Sequence, residues 1–329
     1  MSSLVTVLRA CEGLLGALAA VHRGNARLGG GGADTIKRKV GNTYGVAAGF
    51  MSDTQLCWNW GMHRDDVHEE LRTRFAGYDG AGESDGYSEQ LYFYAFRAAQ
   101  QDVRRPRRIL EVGCGTGKGL NLLAGLEEGS SFVGLDLSQE AISVANARFA
   151  RTESVQYLQG DAEALPFSDG EFDVVVNVES SHNYPNPDRF FAEAVRVLKP
   201  GGYLVHADLV TPAFDAALSR IRNEMSGTVE WLLEEDISDL VRAAIRKRME
   251  PNSYFRREVR RNFALPSRLL LEPLMMNSYG YIFIREHCGV ISTLMRTRFR
   301  KVLPIETYRL TLARRTQTQA RQLESIRST

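Results

Sequence analysis

The chain has 329 residues, 43% of them hydrophobic, and its 41 basic side chains against 40 acidic ones leave a net charge of +1. That length suffices to bury a sizeable core in one large domain or two small ones, and the balanced charge removes any bulk electrostatic case for a nucleic-acid partner. Cys11, Cys57, Cys114 and Cys288 form no CxxC pair, so neither a disulfide framework nor a structural zinc site is expected, no metal ligands are assigned, and a reducing cytoplasm fits best.

At the amino terminus Leu4, Leu8, Cys11, Leu15 and Leu18 recur at helical spacing. The longest unbroken apolar run there, Leu14 to Val21, is too short to span a bilayer, and no basic residue precedes Arg9 as a secretory leader would require. The pattern predicts an amphipathic helix, followed by a flexible hinge at Gly29 to Gly32. Residues 1–32 are therefore expected to form an arm that packs on its own subunit or crosses to a neighbour as a swapped helix, the second case making a homo-oligomer. Residues 33–106 are read as a helical segment covering the substrate. Its "YFYAF" suits ordinary helix packing, whereas Tyr44, Trp58, Trp60 and His63 lie in or near a polar stretch with little reason to hold tryptophans unless they cover something.

From residue 107 to 210 apolar runs and amphipathic segments alternate. "RRILEV", "SFVGLDL", "VQYLQG", "FDVVVNV" and "GYLVHADLV" read as strands. "GKGLNLLAGL", "SQEAISVANARFA" with Ser138 as N-cap, and "PDRFFAEAVRVL" read as the helices between them. That alternation predicts a parallel, doubly wound α/β sheet whose ligands lie beyond the carboxyl ends of the strands. The loop "EVGCGTGKG" after the first strand holds Gly113, Gly115 and Gly117, which let the backbone turn tightly against a ligand. It departs from the dinucleotide fingerprint, because Lys118 stands where the third glycine belongs and Glu111 precedes the loop, where it would repel a diphosphate but accept a cation. Asp136, ending the second strand, is placed for both hydroxyls of a ribose. Asp161 with Ala162, ending the third, is placed for an exocyclic adenine amine. Each acid alone reads equally well as a turn residue; three at the ends of successive strands do not.

Taken in order, "ILEVGCGTGKG", "GLDLS", "GDAEALPF", "FDVVVNVESSHNYP" and "RVLKPGGYLVHADL" resemble the successive motifs of class I S-adenosylmethionine-dependent methyltransferases. The resemblance implies a Rossmann-like, seven-stranded sheet that binds S-adenosylmethionine and releases S-adenosylhomocysteine. It puts the methionine part of the cofactor at Glu111 and Gly113 to Gly117, the ribose at Asp136 beside Leu137, and the adenine at Asp161 and Ala162, with Asn177 completing the set. "NVESSHNYP" is similar to phthiotriolone-type lipid methyltransferases and glycoside O-methyltransferases. "NTYGVAAGFMSDTQLCWNWGMH" is similar to the segment preceding the cofactor domain in sterol C-methyltransferases and cyclopropane fatty-acid synthases.

The acceptor stays open between two chemistries. A hydroxyl needs a base, for which His182 oriented by Asp208 would serve; a loop histidine and a turn aspartate would look the same. An alkene leaves a carbocation, which needs aromatic faces such as Tyr44, Trp58, Trp60 and Tyr184, with His63 nearby. Residues 211–280 are read as a helical lid, because "EWLLEEDISDLVRAAIRKRM" runs from acids to bases as a helix prefers. Residues 281–316 complete the sheet, with "TYRLTLARR" as strand seven and strand six unplaced, and 317–329 form a tail. The expectation is a cytoplasmic methyltransferase without a membrane span, acting on a hydrophobic small molecule, with a prenyl or isoprenoid carbon favoured over a hydroxylated product or lipid. An inactive, scaffold-like assembly subunit is the alternative of another class.

Overall fold

A computed structural model of the chain describes residues 30–51, 59–75, 78, 84–100, 107–127, 129–151, 154–262, 268–286 and 290–317. The expected arm and Trp58 lie outside them. Among the described residues no helix is long and apolar enough to cross a membrane.

Three helices come first, α1 (Gly30–Met51), α2 (Asp65–Arg74) and α3 (Tyr87–Arg97). The alternating core then runs β1 (Arg108–Val112), α4 (Lys118–Leu126), β2 (Ser131–Asp136), α5 (Gln139–Phe149), β3 (Val155–Gln159), β4 (Phe172–Val178), α6 (Pro187–Val197) and β5 (Leu198–Val210). These strands are parallel and close to the expected bounds, and the Ser138 hydroxyl caps α5 by accepting the Ala141 N–H at 3.2 Å. Strand β4 shows why the runs are so apolar: Val174, Val176 and Val178 enter one core cluster while Phe172 and Val175 enter the other, so both faces of the sheet are covered.

Three expectations change. Gly30 to Gly32 open α1 rather than forming a hinge. The lid segment is not wholly helical: α7 (Pro212–Glu224) is followed by β6 (Val229–Asp236), then α8 (Ser238–Met249), α9 (Tyr254–Asn262) and α10 (Arg268–Ser278). The acidic "EWLLEED" is therefore the missing sixth strand. After α11 (Val290–Val302), β7 (Thr307–Arg315) inserts antiparallel between β5 and β6, which gives seven strands in the order β3-β2-β1-β4-β5-β7-β6. The acids of β6 are explained by the arginines of β7, since Glu230 stands opposite Arg314 and is bonded to it at 2.7 Å. Thus the sheet is mixed at this edge rather than parallel throughout.

Candidate active site

Beyond the carboxyl ends of β1, β2 and β4 three loops converge. Gly113, at φ +77°, turns the chain under Leu135, whose carbonyl accepts the Gly113 N–H at 2.7 Å. A Cβ there would lie 2.1 Å from the Ser180 hydroxyl, so the loops after β1 and β4 press together at a point only glycine permits. Gly115, at φ +53°, faces open space, and its N–H donates to Asp136 Oδ2 at 2.9 Å while Ser138 N–H donates to Oδ1 at 2.8 Å. Burial raises the Asp136 pKa against the pull of these N–H groups.

The open space belongs to a cavity of about 1140 Å³, its mouth included. Its wall includes the glycine loop, Asp136, Leu137, Asp161 and Ala162 together with Tyr44, Tyr92, Val178, Glu179, Asn183 and Tyr184. Helix α1 contributes Lys37, Val40, Gly41 and Tyr44 to the wall and packs on α5. Lys37 Nζ reaches Asp161 and Glu163, each at 2.7 Å. Burial alone would lower the lysine's pKa, but these carboxylates outweigh it and the net shift is upward.

Other expected residues fall elsewhere. Glu111 is fully buried beneath Tyr92, whose hydroxyl donates to it at 2.7 Å, so Tyr92 and not Glu111 forms the cavity wall. Burial pushes the Glu111 pKa up to about 8. Asn177 is also fully buried and is not among the cavity-lining residues; its amide donates to the Val112 carbonyl at 2.9 Å and fastens the end of β4 to β1. Trp60 is packed in the core against Phe283 and Tyr308, with its indole N–H on the Ser278 carbonyl. His63 packs edge-on to Tyr87, away from the cavity wall. Neither is positioned to cover a ligand there.

His182 and Asp208 do meet. The imidazole Nδ1 lies 2.7 Å from Asp208 Oδ1, and Oδ2 accepts the Ser181 hydroxyl at 2.6 Å and the His182 N–H at 3.0 Å. Burial disfavours a charged His182, but Asp208 outweighs it and the pKa is raised; burial would raise the Asp208 pKa, yet the histidine and its other partners bring it below the usual value. His206, 2.8 Å from Ser181 Oγ, is held neutral by burial, with a pKa of about 4. His182 itself does not reach the cavity wall. Its Nε2 lies 3.0 Å from the amide nitrogen of Asn183, and the Asn183 amide also donates to the Tyr44 hydroxyl at 3.0 Å.

Glu179 is the residue that sequence reading missed. It sits just past β4 at φ +50°, a conformation that costs a non-glycine residue on the order of 1–3 kcal/mol and persists only where the surroundings enforce it. Here Trp60 N–H at 2.8 Å and Tyr308 hydroxyl at 2.9 Å both donate to Oε2, while the residue lines the cavity. Burial raises its pKa to about 8. Its position inside "NVESSHNYP" was a usable signal; its φ and its two donors, which come from distant segments, were not.

Residues 110–206 match a family model described as a methyltransferase domain. A fatty-acid O-methyltransferase of Mycolicibacterium smegmatis is 46% identical over 129 residues, which cover 39% of this chain and 45% of that protein. A phthiotriol/phenolphthiotriol dimycocerosates methyltransferase of Mycobacterium tuberculosis is 48% identical over 113 residues, 34% of this chain and 42% of its own. The chain thus spans less than half the length of these two relatives. A geranyl diphosphate C-methyltransferase from Streptomyces coelicolor, solved with Mg2+, geranyl diphosphate and S-adenosyl-L-homocysteine, shares the fold at a TM-score of 0.54 and 14% identity, covering 85% of this chain and 98% of its own. Residues 110–206 are thus similar to a methyltransferase domain, on a fold shared with that C-methyltransferase.

Proposed function

We propose that the chain transfers a methyl group from S-adenosylmethionine to a hydrophobic small molecule, favouring a carbon of an isoprenoid alkene. The observation that carries this reading is one cavity lined both by the glycine loop and Asp136 and by three tyrosines, Tyr44 of α1, Tyr92 of α3 and Tyr184 beyond β4. The cradle fits the cofactor in its own terms: Gly115 leaves space where a side chain would intrude, and Asp136, held by the Gly115, Leu137 and Ser138 N–H groups, presents a carboxylate on the wall for ribose hydroxyls. Asp161 and Ala162 would take the adenine, and Gly113 to Gly117 the methionine part.

When bound, the cofactor supplies a methyl already electrophilic enough to transfer, so the protein's task is alignment and exclusion of water. Helix α1, fastened through Lys37, walls the cofactor end. Tyr44, Tyr92 and Tyr184 on the cavity wall give polarisable ring surfaces for positive charge developing on carbon. Binding of S-adenosylmethionine by calorimetry, followed by mass spectrometry with prenylated and hydroxylated compounds, tests the reading. A methyl-sized gain on the prenylated class supports it, and absence of binding by folded protein overturns it.

Oxygen methylation is the second reading, favoured by the His182–Asp208 pair and consistent with the fatty-acid O-methyltransferase likeness. It requires Asn183 to turn away, because its amide now covers the free nitrogen of His182.

A further inference from the structure

Methyl transfer leaves a proton to dispose of, and the cavity wall holds a group built for it. A sulfonium loses its positive charge as the methyl departs, and a neutral carbon or oxygen acceptor must give up one proton. Of the carboxylates on the wall, Asp161 and Glu163 are paired with Lys37, and Asp136 is fixed by the Gly115 and Ser138 N–H groups. Glu179 lines the cavity with both of its donors on Oε2, which leaves Oε1 without a hydrogen bond of its own.

Resting on the methyl-transfer reading, we propose that Glu179 is the proton acceptor of the reaction, kept ionised by the bound sulfonium charge and made basic when that charge disappears. The S–CH3 bond breaks with its electron pair staying on sulfur, and the acceptor's π or lone-pair electrons form the new bond to the methyl carbon. The acceptor's C–H or O–H pair stays behind as the proton moves to Oε1 of Glu179, which afterwards releases it to solvent.

The surroundings make the carboxyl responsive to such a charge. Burial holds it protonated up to about pH 8, while the Trp60 N–H, the His182 charge and the Tyr308 hydroxyl favour ionisation and Asp208 opposes it. Tyr44 of α1, which feels the Glu179 charge, is kept neutral chiefly by burial. A cation a few ångströms from a buried carboxyl lowers its pKa by about 1–3 units. Glu179 therefore crosses neutrality when the sulfonium arrives and crosses back when it is consumed.

The two cofactor forms differ only in the sulfonium methyl, so proton exchange on binding isolates the effect. Calorimetry near pH 7.5 in buffers of different ionisation enthalpy should show S-adenosylmethionine releasing about half a proton more than S-adenosylhomocysteine. Glu179→Gln, which keeps an oxygen for Trp60 and Tyr308, should bind both ligands with equal proton exchange. Glu111→Gln, which removes the other raised carboxyl, should retain the difference. Equal release in the unaltered protein, a difference surviving in Glu179→Gln, or its disappearance in Glu111→Gln overturns the proposal while leaving the methyl-transfer reading intact. Failure to bind either ligand sinks both.

Discussion

Asn183 divides one amide nitrogen between His182 and Tyr44, lying 3.0 Å from the imidazole Nε2 and 3.0 Å from the phenol oxygen. In the neutral imidazole, an amide N–H donated to Nε2 makes this nitrogen an acceptor and leaves the ring proton on Nδ1 toward Asp208. The histidine is therefore tied to helix α1 across the cavity wall and is not itself open to a ligand.

Asp208 is fully buried and loses its principal cationic partner when His182 is removed. His182→Ala should lower unfolding free energy by about 3 kcal/mol, since one partner of a buried pair is left behind. The folded pKa of His182 lies above its unfolded value, so its stabilisation is complete below about pH 6.5 and is lost as pH rises through the folded value. Denaturant titrations at pH 6 and pH 9 should accordingly show a larger effect at the lower pH. An equal loss at both would mean the pair does not depend on imidazolium charge.

Asp136→Ala should weaken S-adenosylhomocysteine binding by about tenfold to a hundredfold, the worth of charge-assisted hydrogen bonds to ribose. Calorimetric affinities of the two proteins measure it, and unchanged affinity would remove the ribose from β2.

Gly113 and Gly129 share φ near +77° and +76°, but a Cβ meets Ser180 at the first and nothing within 4 Å at the second. Gly129→Ala should cost only backbone strain, about 1–2 kcal/mol. Gly113→Ala should cost more and also abolish cofactor binding, because the loops after β1 and β4 must separate. Melting curves with and without S-adenosylhomocysteine distinguish the two effects.

Lys37→Met should cost about 1–3 kcal/mol of stability, because the buried Glu163 carboxylate loses its cationic partner. It should also speed S-adenosylhomocysteine release several-fold by unfastening α1 from Asp161 and Glu163. Stopped-flow dissociation rates read this directly; an unchanged rate would mean that α1 does not close the cofactor end.

Glu111 and Glu179 both have pKa values pushed up to about 8 by burial. A carboxyl whose folded pKa is raised makes the fold more stable below its unfolded value, about 4.3, and loses that contribution as pH climbs toward 8. The melting temperature should fall from pH 5 to pH 8, and Glu111→Gln should flatten the slope. A slope unaffected by that substitution would place the titration elsewhere.

The core of the sheet was legible because its signals are local. Apolar runs buried on both faces need no partner to be recognised, and Ser138 caps the helix it was expected to cap. Strand β6 was hidden because its residues are mostly exposed and its acids answer arginines about eighty positions away in β7, so the short-range charge order imitated a helix start. Trp60 was misread for a related reason: a tryptophan in a polar stretch suggested a cover, but Phe283 and Tyr308 from the far end of the chain bury it in the core.

By itself, the amino-acid sequence determined the order of β1 to β5, the glycine loop, the acids that end successive strands and hence the methyltransferase core, since each depends on residues within a few positions of one another. The tertiary structure decided which acids and histidines face the cavity. Asn183 covers His182, Tyr92 covers Glu111, and Trp60 and Tyr308 hold Glu179 in a backbone conformation that its neighbours in sequence do not favour. Those outcomes depend on burial and on hydrogen bonds between segments brought together only when the sheet closes.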